Sequence, residues 1–127
     1  MKNKLINTFV ESRLKQVLIN DLDSYQVKDS NEAYNLQEIV NEKLSLSGLG
    51  EVIGYKIGCT NKSIQKELGV NCPIFGPIFK NKIINSNKTI YIKEFTKVGV
   101  ECEIYIKISK EVNAVSYTHL RAHETST

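Results

Sequence analysis

The chain predicts an α+β fold, with N-terminal helices packed on an incomplete mixed β-sheet. Apolar residues recur at helical spacing near the N-terminus, then alternate with polar ones after Val52 and again from Val100. With 127 residues and 41% hydrophobic content, one small globular domain accounts for the composition better than a disordered segment does.

Leu5, Ile6, Phe9, Val10, Leu14, Val17, Leu18 and Leu22 place an amphipathic helix over about residues 4–22. Lys2 and Lys4 would suit a membrane surface, whereas Glu11, Asp21 and Asp23 suit packing against the domain. A second helix starts at Asp29, whose carboxylate caps free amides while Glu32 reaches back in a capping box. It runs to about Leu46 and stops near Gly48 and Gly50.

Alternation at Val52, Ile53, Tyr55 and Ile57 reads as a strand, and Thr60 is placed to cap a helix over residues 62–68 that Gly69 ends. Residues 72–77 hold both prolines of the chain and read as a turn-rich segment. Ile83 and Ile84, then Ile90 and Ile92, flank the turn-like Asn85, Ser86 and Asn87 as two paired strands. A last strand covers residues 100–108, where Val100, Cys102, Ile104, Ile106 and Ile108 alternate with polar side chains.

The net charge of +3 comes from scattered lysines, and no basic stripe interleaved with aromatics is present, which argues against a nucleic-acid partner. Cys59, Cys72 and Cys102 are odd in number and lack metal-ligand spacing. Residues 1–10 have no long apolar core, so neither a secretory signal nor a membrane span is expected, and a reducing cytoplasm follows.

Glu101 and Glu103 carry the strongest chemical signal. Two residues apart on a strand, about 6.6–6.8 Å from one another, their carboxylates share a face and can lean toward one cation. Hard oxygen ligands suit Mg²⁺ or Mn²⁺. The same alternation also describes a half-buried strand with a solvated face. Gly54 and Gly58 bracket Lys56, and such glycines permit unusual torsions or a close approach of backbone to ligand. A loop lysine pointing into water is the alternative there. Phe75 and Phe79 suit packing. Tyr34 and Gln37, three apart, share a helix face, either for a role at the site or as a core-edge tyrosine beside an exposed amide.

From Ala33 to about Lys110 the chain resembles the 2-keto-4-pentenoate hydratase branch of the fumarylacetoacetate hydrolase superfamily. Ala33, Tyr34 and Gln37 look like its helical Ala-Tyr-x-x-Gln signature. Gly54, Tyr55, Lys56, Ile57, Gly58, Cys59, Thr60 and Asn61 look like its Gly-x-Lys-Ile-Gly-x-Thr-Ser/Asn segment. Gln65, Leu68, Gly69, Val70, Pro73, Phe75 and Gly76 follow in family order, and Glu101 with Glu103 matches its Glu-x-Glu metal motif.

The resemblance implies the N-terminal part of a β-roll, a Mg²⁺ or Mn²⁺ held by Glu101 and Glu103, and Lys56 as the catalytic lysine. It also implies a 2-oxo acid substrate against Gly58, Phe75 and Gly76, and a homo-oligomeric parent. The activity implied is hydration of a 2-hydroxy-2,4-dienoate to a 4-hydroxy-2-oxo acid in aromatic catabolism. Ile74 stands where hydratases often carry an aspartate, which leaves a 4-oxalocrotonate-type decarboxylase open. So does a noncatalytic subunit of a hydratase–decarboxylase complex.

Family members are longer and supply a third acid further along, so residues 1–114 are expected to be the N-terminal portion of a catalytic domain, inactive alone. Residues 115–127 break the pattern and look like translated sequencing adapter, a non-native or disordered tail. His119 and His123, four apart there, are accordingly not read as a metal pair.

Overall fold

The computed structural model describes residues 2–22 and 25–109. Helix α1 (Lys2–Lys15) and helix α2 (Ser30–Leu44) precede strand β1 (Val52–Gly58), helix α3 (Lys62–Glu67) and strand β2 (Ile74–Phe79). The class is α+β, with helices packed against a two-stranded antiparallel sheet.

Helix α1 is shorter than its periodicity predicts. Gln16 adopts a left-handed φ of 55° and turns the chain, the Ser12 hydroxyl donates to the Val17 carbonyl, and Thr96 Oγ1 donates to the Gln16 carbonyl at 2.8 Å. Val17, Leu18 and Leu22 therefore stay exposed, while Leu5 and Ile6 are buried.

Helix α2 begins as expected. Asp29 Oδ1 accepts from the Glu32 amide at 2.9 Å. Glu32 reaches back one residue further than a capping box requires, accepting at 2.7 Å from the amide of Lys28 and pairing with Lys2 of α1. The helix passes into a wide turn, Ser45–Leu49, in which Gly48 takes a φ of 104°, and Gly50, just after it, takes one of 77°. Asn81 Nδ2 donates to the Gly48 carbonyl at 2.9 Å, and a Cβ on Gly50 would meet the Asn81 side chain at 3.1 Å.

β1 and β2 pair with Lys56 opposite Gly76, Tyr55 opposite Pro77 and Ile57 opposite Phe75. The segment expected to be a turn is therefore a strand. Pro77 is tolerated because β2 has only one strand neighbour among the described residues, so its missing N–H breaks no second ladder there. A bulge between Val52 and Gly54 adds one residue to β1 and reverses the inside–outside phase before it. Val52 thereby joins the helix-facing side, where it packs with Val10 and Val40 on the buried core of Leu44, Leu49 and Phe79.

Asn61, one residue after the predicted Thr60, caps α3 by accepting from the Ser63 amide at 2.7 Å. The helix stops where Gly69 takes a φ of 68°. The hairpin expected over residues 83–92 is absent among the described residues, where only a short 3₁₀ turn, Ile92–Glu94, forms. Residues 100–108 likewise form no ladder, and Val100 and Ile104 are 93% and 92% exposed. An extended segment needs a neighbour for its amides and carbonyls, and none among the described residues forms a ladder with it.

No helix among the described residues is long and apolar enough to cross a membrane. The domain boundary expected at residue 114 and the tail with His119 and His123 lie outside the described residues.

Candidate active site

The pleat of β1 sends Lys56 to the face of the sheet opposite α2. Gly54 and Gly58, two residues away on either side, share that face, and Gly76 lies directly across from the lysine. Neither Gly54 nor Gly58 uses a left-handed torsion, so of the two roles read for these glycines the unusual torsion is not the one used. The glycines act by leaving the sheet bare. A Cβ on Gly76 would meet nothing within 4 Å, and on Gly54 and Gly58 it would reach only Ile78 and Ile74, each at 3.9 Å. The Gly-x-Lys-x-Gly spacing carried this signal, since a strand repeats every second residue on one face.

Both predicted carboxylates meet the lysine. Lys56 Nζ lies 2.5 Å from Glu101 Oε2 and 2.8 Å from Glu103 Oε1. The two glutamates thus converge on one cation, although their segment is irregular rather than a paired strand. Lys56 is not buried, its side chain being 49% exposed. Hydrogen bonds that it donates to Glu101 and then to Glu103 raise its pKa well above the usual lysine value, the opposite of the lowered pKa that a proton relay requires. The Lys56 hydrogen bond holds the Glu101 carboxyl below its ordinary value. The group is a fixed ammonium between anions.

Phe75, expected against substrate, projects to the other face, since it lies opposite Ile57 rather than Lys56. Its ring stacks on Tyr34 of α2 with centroids 4.3 Å apart and an interplanar angle of 9°, and meets Tyr55 edge-on at 5.6 Å. Tyr34 Oη accepts from the Phe75 amide at 3.3 Å, and Gln37 Nε2 donates to the Phe75 carbonyl at 3.4 Å. The shared helix face read for Tyr34 and Gln37 therefore grips one residue of β2 by ring, N–H and C=O together. Gly58 and Gly76 remain on the lysine's face.

A buried glutamine supports the end of β1. Gln65 of α3 donates to the Cys59 carbonyl at 2.7 Å and accepts from Lys62 Nζ at 3.0 Å. Cys59 itself takes a left-handed φ of 56°, the bend by which the chain leaves the strand after Gly58.

The donor chemistry fits a hard dication. Glu101 and Glu103 offer carboxylate oxygens that already enclose a positive charge, the ligand type favoured by Mg²⁺ and Mn²⁺. Among the described residues no group of three histidine, cysteine or acidic side chains is assembled.

Fold and site define an α+β unit that carries an exposed ammonium–dicarboxylate cluster over a glycine-bared strand face. The chain is 31% identical over 90 residues to the 2-keto-4-pentenoate hydratase of Burkholderia vietnamiensis, a match covering 71% of this chain and 34% of that protein. It is 30% identical over 97 residues to the 2-keto-4-pentenoate hydratase of Paraburkholderia xenovorans, covering 76% and 36%. To the TodF product hydratase of Pseudomonas putida it is 28% identical over 90 residues, covering 71% and 33%.

The chain is a relative of the 2-keto-4-pentenoate hydratases, and it spans about a third of the length of the curated relatives it matches. No family model matches the chain, and no solved structure matches it.

Proposed function

We propose that this chain is the lysine-bearing part of a metal-dependent hydratase, which adds water to a 2-hydroxy-2,4-dienoate and yields a 4-hydroxy-2-oxo acid in aromatic catabolism. The observation that carries the proposal is the convergence of Glu101 and Glu103 on Lys56, at 2.8 Å or less, beside Gly58 and Gly76. The names of the relatives support the reaction class.

Glu101 and Glu103 would hold Mg²⁺ or Mn²⁺, whose Lewis acidity withdraws electron density from a 2-oxo acid. In the reaction the enol gives up its proton and C5 takes one, forming a conjugated 2-oxo-3-enoate. Water oxygen then bonds to C4 while C3 takes a proton, so atoms balance. Negative charge develops on the 2-oxygen in both stages. Lys56 brings an ammonium group to this face, which would stabilise that charge and orient the substrate carboxylate. Gly58 and Gly76 let a planar substrate lie against the backbone.

Ile74 gives a second reading. It lies opposite Gly58 on the lysine's face and puts an alkyl group there, an environment that suits loss of CO₂ from a 4-oxalocrotonate-type acid over delivery of water. A noncatalytic partner subunit would not require the three charged groups to meet. The free Cys59, Cys72 and Cys102 of this chain fit a reducing cytoplasm, and a homo-oligomer is the assembly proposed for the longer protein.

The test uses the longer protein carrying this segment, assayed with Mg²⁺ or Mn²⁺ against a 2-hydroxy-2,4-dienoate and against 4-oxalocrotonate. Loss of dienoate absorbance without CO₂ release, abolished in Glu103→Gln, is expected. CO₂ release without hydration selects the decarboxylase, and unchanged turnover in Glu103→Gln removes the metal assignment. The 127-residue chain alone is expected to turn over little.

A further inference from the structure

We infer that Lys56 is an internal counter-ion which a divalent cation must displace from Glu101 and Glu103, so that metal loading is the event that frees the ammonium for the anionic substrate. The inference rests on the proposed metal role of the two glutamates.

The geometry leaves little room for both cations. Lys56 Nζ occupies the space between the carboxylates, 2.5 and 2.8 Å from their oxygens. Mg²⁺ binds carboxylate oxygen at about 2.0–2.1 Å, so one side chain must close by roughly half an ångström and the other by roughly three-quarters. A dication in that bite would lie within about 4 Å of the ammonium if the lysine stayed, a like-charge contact that costs energy even in solvent. Two carboxylates against one ammonium leave a residual negative charge, and a dication neutralises it fully.

The exposed pairs also bind Lys56 weakly, since solvent and salt screen them. Once released, the side chain has space to move. Gly54, Gly58 and Gly76 put no side chain beside it, and the flexible four-carbon stem can carry the ammonium over the glycine positions between Ile74 and Ile78. An oxo acid carboxylate arriving before the metal meets a lysine already neutralised by two anions. Arriving after it, the same carboxylate meets a free ammonium. Metal and substrate should therefore bind in that order.

The experiment titrates the 127-residue chain with Mn²⁺, following free Mn²⁺ by its electron paramagnetic resonance signal, for wild type, Lys56→Met, Lys56→Arg and Glu103→Gln. In parallel, Mg²⁺ is added to wild-type chain carrying ¹³C-labelled lysine, and the Lys56 Cε resonance is followed. Displacement predicts that Lys56→Met binds Mn²⁺ about three- to tenfold tighter than wild type, the reach of two exposed ion pairs. Lys56→Arg should bind no tighter than wild type, Glu103→Gln should bind most weakly, and the Lys56 resonance should move with Mg²⁺ toward that of exposed lysines.

Equal Mn²⁺ affinity in wild type and Lys56→Met, with a still Lys56 resonance, overturns displacement while a weaker Glu103→Gln leaves the metal reading standing. Affinities alike in all four proteins overturn both. Circular dichroism confirms that each variant keeps the wild-type helix content.

Discussion

The ring of Tyr34 lies 4.3 Å from that of Phe75 and nearly parallel to it, while the Tyr34 hydroxyl accepts the Phe75 amide hydrogen at 3.3 Å. One side chain of α2 thus provides both an apolar plate and a hydrogen-bond acceptor for β2. Gln37, one turn on, completes the grip at the Phe75 carbonyl. The next residue, Gly76, is the one that faces Lys56.

Replacing Tyr34 separates the two contributions. Tyr34→Phe keeps the stack and leaves the Phe75 amide to solvent, at about 0.5–1 kcal/mol. Tyr34→Ala loses the stack as well, for a further loss of about 0.5–1.5 kcal/mol or more. Urea unfolding followed by circular dichroism should rank the variants in that order, and equal midpoints for wild type and Tyr34→Ala would remove the helix–strand clamp.

Gly76→Val should uncouple stability from function. Gly76 has no left-handed torsion, and an added Cβ meets nothing, so a β-branched residue raises stability or leaves it unchanged, by up to about 1 kcal/mol. Its methyl groups stand directly across from Lys56 and crowd the bare face. Thermal unfolding should show an equal or higher midpoint, while dienoate turnover by the longer protein falls. A stable variant with full turnover would mean the open face is unused.

Elements whose causes are local were legible in the sequence. Asp29 caps α2 through a bond three residues away, and Gly48 and Gly50 end it with torsions most residues avoid. Periodicity overran α1 because Val17 and Leu18 keep the apolar spacing, while the stop comes from Gln16 in a left-handed conformation that no glycine announces. Ile74 and Phe75 were hidden between prolines whose turn chemistry was outweighed by pairing with β1. At the site, the grouping of Lys56, Glu101 and Glu103 was expected on the resemblance, whereas the lysine's raised pKa was not. A close pair of carboxylates on an exposed ammonium stabilises its charge, and nothing in the Gly-x-Lys-x-Gly spacing tells an exposed lysine from a buried one.

Gln65 should prove structural. It is the buried polar residue among those described, and its amide holds the Cys59 carbonyl at 2.7 Å. Gln65→Leu fills similar volume but leaves that carbonyl without its partner, at about 1–3 kcal/mol. Gln65→Glu replaces the donor with an acceptor facing a carbonyl and should cost at least as much near neutral pH. Denaturant midpoints check both, and a Gln65→Leu variant as stable as wild type would show that solvent reaches the Cys59 carbonyl.

The contact between α1 and α2 should loosen in acid. Glu32 has its pKa lowered from 4.5 by the Lys2 ammonium first and by the Lys28 amide next. A carboxyl with a depressed folded pKa binds fewer protons folded than unfolded, so its contribution is present above 4.5 and fades as pH falls through the folded value. Because the group is exposed, salt should shrink the effect. Glu32→Gln removes the charge at every pH. The stability difference between wild type and Glu32→Gln, measured by urea unfolding from pH 7 down to about 3, should therefore narrow toward the acid end and narrow less in high salt. A difference that stays constant with pH would show that the Glu32 carboxylate makes no use of Lys2 or of the Lys28 amide in solution.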